Sequence, residues 1–320
     1  IIMVILMILI GGVTRLTDSG LSMVEWRPLW GFLPPISQFE WNRVFELYMK
    51  SPEYIFKNKG MSLEEFKEIF FWEYFHRLWG RLIGIIFIIP LLFFIIVKKI
   101  PKSILSKLFL ILFLGGLQGF IGWWMVKSGL VNDPTVSQYR LTIHLSNALL
   151  ILSLLIWVYL DVKEGVSQIK PDFSFFMFSI LFITIIAGAF VAGMDAGLMY
   201  NEYPFMGDSL IPENYGEYEL LDPFENPASA QFHHRHLALF TTLCALFYCY
   251  KYYFESEDKK VKKLSLLISV VVCLQFTLGI LTLINMVPVY LGAIHQTGAV
   301  ILFISLICSM HRLNLIEKLN

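Results

Sequence analysis

Eight apolar runs of near-membrane length punctuate the chain, at about 1–13, 76–97, 107–127, 140–160, 174–194, 234–254, 264–284 and 288–310. About 20 apolar residues cross a bilayer as a helix, so each run predicts one span. Three kinds of polar segment separate the runs. Segments 98–106, 161–173, 255–263 and 311–320 are short and carry Lys98, Lys99, Lys102, Lys163, Lys170, Lys259, Lys260, Lys262, Lys263, Arg312 and Lys318. Segments 14–75 and 195–233 are long and acidic, and segments 128–139 and 285–287 are short and nearly uncharged. Segment 195–233 has no lysine or arginine but eight acids, from Asp195 to Glu225. Positive residues favour the cytoplasmic side. The lysine-bearing loops and both termini are therefore expected inside, and the long acidic loops outside.

The first outer segment carries its own helical signals. Ser37 to Tyr48 and Ser62 to Phe75 alternate acids and aromatics at helical spacing, and Ser62-Leu63-Glu64-Glu65 reads as a capped helix start. These predict two short helices on the outer membrane surface, with Trp41, Phe71 and Trp72 in the interface belt.

Composition agrees with a membrane solvent. Of 320 residues 57% are hydrophobic and 16% charged, and the mean hydropathy is +0.65. A soluble domain carries more charge. The formal net charge is zero, which offers nothing to nucleic acid. The chain begins at Ile1 inside an apolar run, expected to be part of a first span and not a cleaved leader, since no small-residue cleavage site follows. Cys244, Cys249, Cys273 and Cys308 all sit in apolar runs without C-x-x-C spacing, so disulfides, zinc sites and covalent haem are not expected.

The two halves match in order. Asp18-Ser19-Gly20-Leu21 and then Leu33-Pro34 follow the first run; Asp195-Ala196-Gly197-Leu198 and then Ile211-Pro212 follow the fifth. Phe75-His76-Arg77 opens the second run and His233-His234-Arg235 the sixth. Leu117-Gln118 and Gly122 mark the third, Leu274-Gln275 and Gly279 the seventh. Ile143-His144 and Ala148 mark the fourth, Ile294-His295 and Ala299 the eighth. The expected fold is all-α and membrane-integral: eight transmembrane helices as two four-helix bundles related by a pseudo-twofold axis. The expected domains are 1–160, a linker over 161–173, and 174–320.

His76, His144, His234 and His295 fall in the first turns of the even-numbered spans, at similar depth near the outer face. Two imidazoles facing each other across each bundle suit bis-histidine haem ligation. A metal-ion site is the other sharp reading, and a satisfied polar group the plain one. Arg77 and Arg235 follow two of the histidines and could pair with porphyrin propionates, as could Arg81 and Arg140, or they could reach lipid phosphate. Glu73 precedes His76 by one helical turn, whereas Gln231 holds the equivalent place in the second half. That asymmetry points to chemistry in the first half and electron carriage in the second. His233 and His236 are expected at the surface or beside the site, and His311 at the cytoplasmic membrane interface.

These residues resemble the haem A synthases of the bacterial CtaA and mitochondrial COX15 type. The resemblance rests on Gly11-Gly12-Val13-Thr14-Arg15-Leu16-Thr17-Asp18-Ser19-Gly20-Leu21-Ser22, Glu25-Trp26-Arg27-Pro28, Phe75-His76-Arg77-Leu78-Trp79-Gly80-Arg81, Asn226-Pro227, Gln231-Phe232-His233-His234-Arg235 and Leu291-Gly292-Ala293-Ile294-His295-Gln296. It implies oxidation of the C8 methyl of haem O to a formyl group with water-derived oxygen. By the same resemblance His234 and His295 ligate the iron of a resident haem b, His76 and His144 hold the substrate haem O, and Glu73 takes part in the reaction. It also implies a bacterial inner-membrane location with the haem sites near the periplasmic face. Some members carry a cysteine pair in the first outer loop; this chain has none there and resembles the cysteine-free branch. A haem O synthase, an oxidase assembly factor and a second copy of the chain stay open as partners. The competing functions are a dihaem electron-transfer cytochrome and a duplicated transporter. Polar residues clustered at one face argue against the transporter.

Overall fold

The computed structural model describes residues 1–27, 31–131 and 133–319, with side chains described through 315. Pro28 of the Glu25–Pro28 stretch and the Lys318 side chain lie outside the described residues. The described chain is helical apart from loops and one isolated bridge, Met206 to Ser209. The helices are α1 (Ile2–Leu16), α2 (Gln38–Tyr48), α3 (Pro52–Phe56), α4 (Leu63–Ile96), α5 (Lys102–Ser128), α6 (Gln138–Glu164), α7 (Phe173–Gly193), α8 (Asp222–Glu225), α9 (Pro227–Glu255), α10 (Lys259–Ile284) and α11 (Val289–Leu319). Seven of them, α4 to α7 and α9 to α11, are long and apolar enough to cross a membrane, and α1 is a shorter apolar helix of 15 residues. Large apolar side chains on these helices face outward, for example Ile86 at 56%, Ile89 at 63% and Phe93 at 58% exposure. Apolar surface on that scale requires lipid or protein around it.

Two compact units divide at Ile151/Leu152, inside α6. In the first, α4 packs on α1, α2 and α5. In the second, α7 packs on α9, α9 on α10, α10 on α11, and α11 returns to α7.

The first outer segment corrects one expectation. Ser62 does start a helix: its Oγ accepts the Glu65 N–H at 3.3 Å, and Glu65 Oε2 accepts the Ser62 N–H at 2.7 Å. That helix does not end at Phe75. It runs 34 residues to Ile96, through Pro90. At about 1.5 Å per residue it is roughly 50 Å long, against a hydrocarbon core of about 30 Å. The composition change at Phe75/His76 marks a change of surroundings and not a helix end, because no residue there breaks the backbone ladder. The protruding part buries Phe66 and Phe70 against Tyr48. Trp41, half-buried, joins this small aromatic core, edge-on to Phe70 at 5.1 Å.

His311 also differs from expectation. It is 1% exposed, and its Nε2 lies 3.0 Å from Asp161 Oδ1. The Ser167 N–H donates to the same Asp161 oxygen at 3.1 Å, and Ser167 Oγ donates to the His311 carbonyl at 3.2 Å. The polar segment after α6 is thus pinned to α11. A buried imidazole beside a carboxylate, with its backbone also engaged, is structural packing and not an interfacial group.

Candidate functional site

The sequence repeat recurs in three dimensions within each unit. Asp18 after α1 and Asp195 after α7 both take left-handed backbone, at φ 48° and 50°. Aspartate tolerates that region better than most residues, and it turns the chain sharply into each outer loop. Each loop is then clamped by the arginine next to a site histidine. Arg77 Nη2 donates to the Met23 carbonyl at 3.0 Å and Nη1 to the Glu25 carbonyl at 3.2 Å. Arg235 Nη2 donates to the Tyr200 carbonyl at 2.8 Å and Nη1 to the Glu202 carbonyl at 3.0 Å. Counted from Asp18 and Asp195, Met23 matches Tyr200 and Glu25 matches Glu202. Propionate pairing, expected from the sequence for both arginines, would have to share donors with these carbonyls. Arg235 retains one: its Nε is buried and has no partner among the described residues. Arg81 and Arg140 are likewise engaged with backbone, Arg81 Nη2 with the Arg27 carbonyl at 2.8 Å and Arg140 Nη1 with the Trp124 carbonyl at 2.7 Å.

Glu73 and Gln231 complete the two clamps differently. Glu73 is 2% exposed. Its Oε2 accepts from Ser22 Oγ at 2.8 Å and from the Met23 N–H at 2.6 Å, and its Oε1 accepts from Arg77 Nη2. Gln231, also 2% exposed, donates from Nε2 to the Tyr200 carbonyl at 3.0 Å. The same loop position is held by a charged acceptor in one half and a neutral donor in the other. Beside the first clamp lies a cavity of about 300 Å³, lined by Ser22, Met23, Phe70, Arg77 and Arg81 among others.

The four histidines pair within the units. His76 and His144 are close enough to interact electrostatically, and so are His234 and His295. Each ring lies against a glycine of a neighbouring helix. A Cβ on Gly11 would sit 3.1 Å from His76 Nε2; one on Gly122, Gly188 or Gly279 would sit 3.0, 2.9 or 2.9 Å from Cε1 of His144, His234 or His295. Only glycine admits the rings so near the backbone. Sequence reasoning marked Gly122 and Gly279 as repeat signs and missed Gly11 and Gly188, although both stand at the same spacing ahead of Asp18 and Asp195. His234 Nδ1 lies 3.2 Å from the Thr184 carbonyl, so Nδ1–H donates there and Nε2 is left to bind a metal. Gln118 and Gln275 bring amide nitrogens to 3.2 and 3.0 Å from Nδ1 of His144 and His295. Of the other histidines, His233 meets the Tyr215 hydroxyl at 3.2 Å, and His236 bonds the Phe232 carbonyl of its own helix at 2.8 Å. Paired imidazoles in glycine notches, a carbonyl holding Nδ1 and an unpartnered buried guanidinium nitrogen fit an iron porphyrin with acidic side arms.

Fold and site define a class: a multi-pass helical membrane protein with a duplicated histidine-pair site near the clamped loops. The chain belongs to the COX15-CtaA family of cytochrome oxidase assembly proteins, whose family model matches residues 1–307. It is 45% identical to the haem A synthase of Granulibacter bethesdensis over 97% of this chain and 84% of that protein. It is 44% identical to the haem A synthase of Nitrosospira multiformis over 97% of this chain and 90% of that protein. With the haem A synthase of Pelagibacter ubique it shares 42% identity over 95% and 91% of the two chains. No solved structure matches the chain.

Proposed function

We propose that this chain is a haem A synthase, which oxidises the C8 methyl of haem O to a formyl group and so supplies haem A to terminal oxidases. The observation that carries the chemical half of this reading is a difference between the two corresponding clamps, Glu73 against Gln231. Relatives of that name, similar along nearly the whole chain, support it independently.

In this reading His76 and His144 hold haem O as substrate, and His234 and His295 are the axial ligands of a resident haem b. A bound haem b supplies one-electron redox chemistry. The protein's own part is position and proton handling. The glycine notches seat the imidazoles. The Arg77 clamp fixes the outer loop to α4 one residue from His76, and Arg77 and Arg81 line the cavity beside that loop, where propionates would present their charge. Arg235 Nε is the donor left for a propionate in the second half. Glu73 is the proposed catalytic residue. Its Oε1 has one protein donor, Arg77, so a lone pair stays available to accept a proton from the water that delivers the oxygen.

The finer topology follows from the same reading. With α1 completing a span, eight helices form two four-helix bundles about a pseudo-twofold axis. Residues 1–160 form the substrate half, 161–173 a cytoplasmic linker and 174–320 the haem b half. Both termini face the cytoplasm of a bacterium, and both haem sites lie toward the periplasmic side of the inner membrane. Haem O synthase, an oxidase assembly factor or a second copy of this chain are the partners such a product would call for.

The test is acid–acetone extraction and chromatography of haems from the purified protein co-expressed with a haem O synthase. Wild type should contain haem b with haem O, a hydroxylated haem or haem A. Glu73→Gln should retain its haems and lose formyl product by at least about 100-fold, the low end of acid–base contributions. Full formyl formation in that variant would remove Glu73 from the mechanism. Haem b alone in both pockets of wild type would make the chain an electron-transfer cytochrome.

A further inference from the structure

The two histidine sites differ in one device that the repeat conceals. In the first unit the Gln118 amide is held at both ends. Its Nε2 donates to the His144 carbonyl at 3.1 Å and faces the ring nitrogens at 3.2 and 3.3 Å. Its Oε1 accepts from Asn147 Nδ2 at 2.7 Å. Asn147 is 6% exposed, and its Nδ2 also donates to the Leu114 carbonyl at 3.1 Å. Asn147 therefore ties the glutamine that faces His144 to the backbone of α5.

In the second unit Gln275 is held at one end only. Its Nε2 donates to the His295 carbonyl at 2.9 Å and lies 3.0 Å from Nδ1. Its Oε1 is buried with no partner among the described residues. Gly298 occupies the place after His295 that Asn147 occupies after His144. A Cβ on Gly298 would lie 2.2 Å from that oxygen, so the glycine creates the space the amide fills. Any side chain there would push Gln275 off the ring.

We propose that Asn147 is a positioning residue that locks the His144 imidazole through Gln118, and that Gln275, whose Oε1 has no such anchor beside Gly298, holds the His295 imidazole from one end only. The two pockets are thus alike in ligands and unlike in stiffness. The inference rests on the haem reading above. The orientation of an axial ligand, set by the groups held against it, tunes the potential and the electronic structure of the iron. The device therefore separates a haem that must be held in one reactive pose from one that only exchanges electrons.

The test uses the full chain purified in detergent and loaded with ferric haem b, read by redox titration and by electron paramagnetic resonance of the low-spin ferric haems. Asn147→Leu keeps the branched shape and removes the donor. It should shift the midpoint and the largest g value of one haem only, and Asn147→Gln, which keeps a donor, should restore part of the shift. Gly298→Ala should move the other haem and leave the first unchanged. The two single variants thus read different signals, and either one tests the device if the other does not fold. Unchanged signals, or equal shifts of both haems in each variant, would overturn the proposal while leaving the haem reading intact. A wild-type chain without bis-histidine haem signals would overturn the haem reading itself, and this inference with it.

Discussion

Glu53 shows how far burial can move a group in the outer segment. It lies in the first turn of α3 at 3% exposure, and its Oε2 accepts the Tyr48 hydroxyl at 2.9 Å. Loss of water pushes its carboxyl up from 4.5 to about 7; the Tyr48 hydrogen bond opposes this, and the charges of Glu73 and Asp18 reinforce it. The folded chain therefore binds more protons than the unfolded chain across that window. The contribution to stability is fully present below about 4.5 and is lost as pH rises through about 7. Glu53→Gln stays neutral and keeps an acceptor for Tyr48. The wild-type melting temperature should fall across this window, and the variant's should fall less. Parallel falls in both would assign the pH dependence to other groups. At this scale the sequence announced the ionisable residues well, because histidines and acids at helix mouths are rare and repeated. It could not announce the partners of Arg77 and Arg235. Those partners are backbone carbonyls of Met23, Glu25, Tyr200 and Glu202, which any residue type supplies.

Among the elements, helix starts were legible where side-chain chemistry marks them, as at Ser37 and Ser62. The sequence points to a helix end at Phe75 because a charge boundary resembles an element boundary, and the helix runs on to Ile96. α4 crosses that boundary unbroken and carries Glu73, His76 and Arg77 on one rigid rod. Rigid elements hold ligands to tighter tolerance than loops. The glycine notches are the other feature of element scale. Gly279→Val would place a side chain where a Cβ already comes within 2.9 Å of His295. It should abolish haem bound by the His234–His295 pair, seen as loss of that haem's absorbance, while helical circular dichroism is retained. Gly84→Val, at a site with nothing within 4 Å, should keep the full complement. Equal haem content in the two variants would show that the notch does not seat the ring.

The whole molecule was legible where hydropathy and repetition agree. The seven long apolar helices coincide with the second to eighth runs, and the duplicated order of Asp18, His76, Gln118 and His144 recurs as duplicated turns, clamps and notches. What the sequence hid is the unequal finish of the halves, because Asn147 and Gly298 look like unrelated residues until the amides of Gln118 and Gln275 are seen between them and the rings. The central claim is that each unit holds its own haem, with a different task in each half. The most direct measurement is the haem content of four single variants, His76→Ala, His144→Ala, His234→Ala and His295→Ala, each co-expressed with a haem O synthase. The account predicts that the first two keep haem b and lose haem O and its oxidation products, and that the last two lose haem b. Loss of haem b from His76→Ala with its retention in His295→Ala would contradict the assignment of the halves.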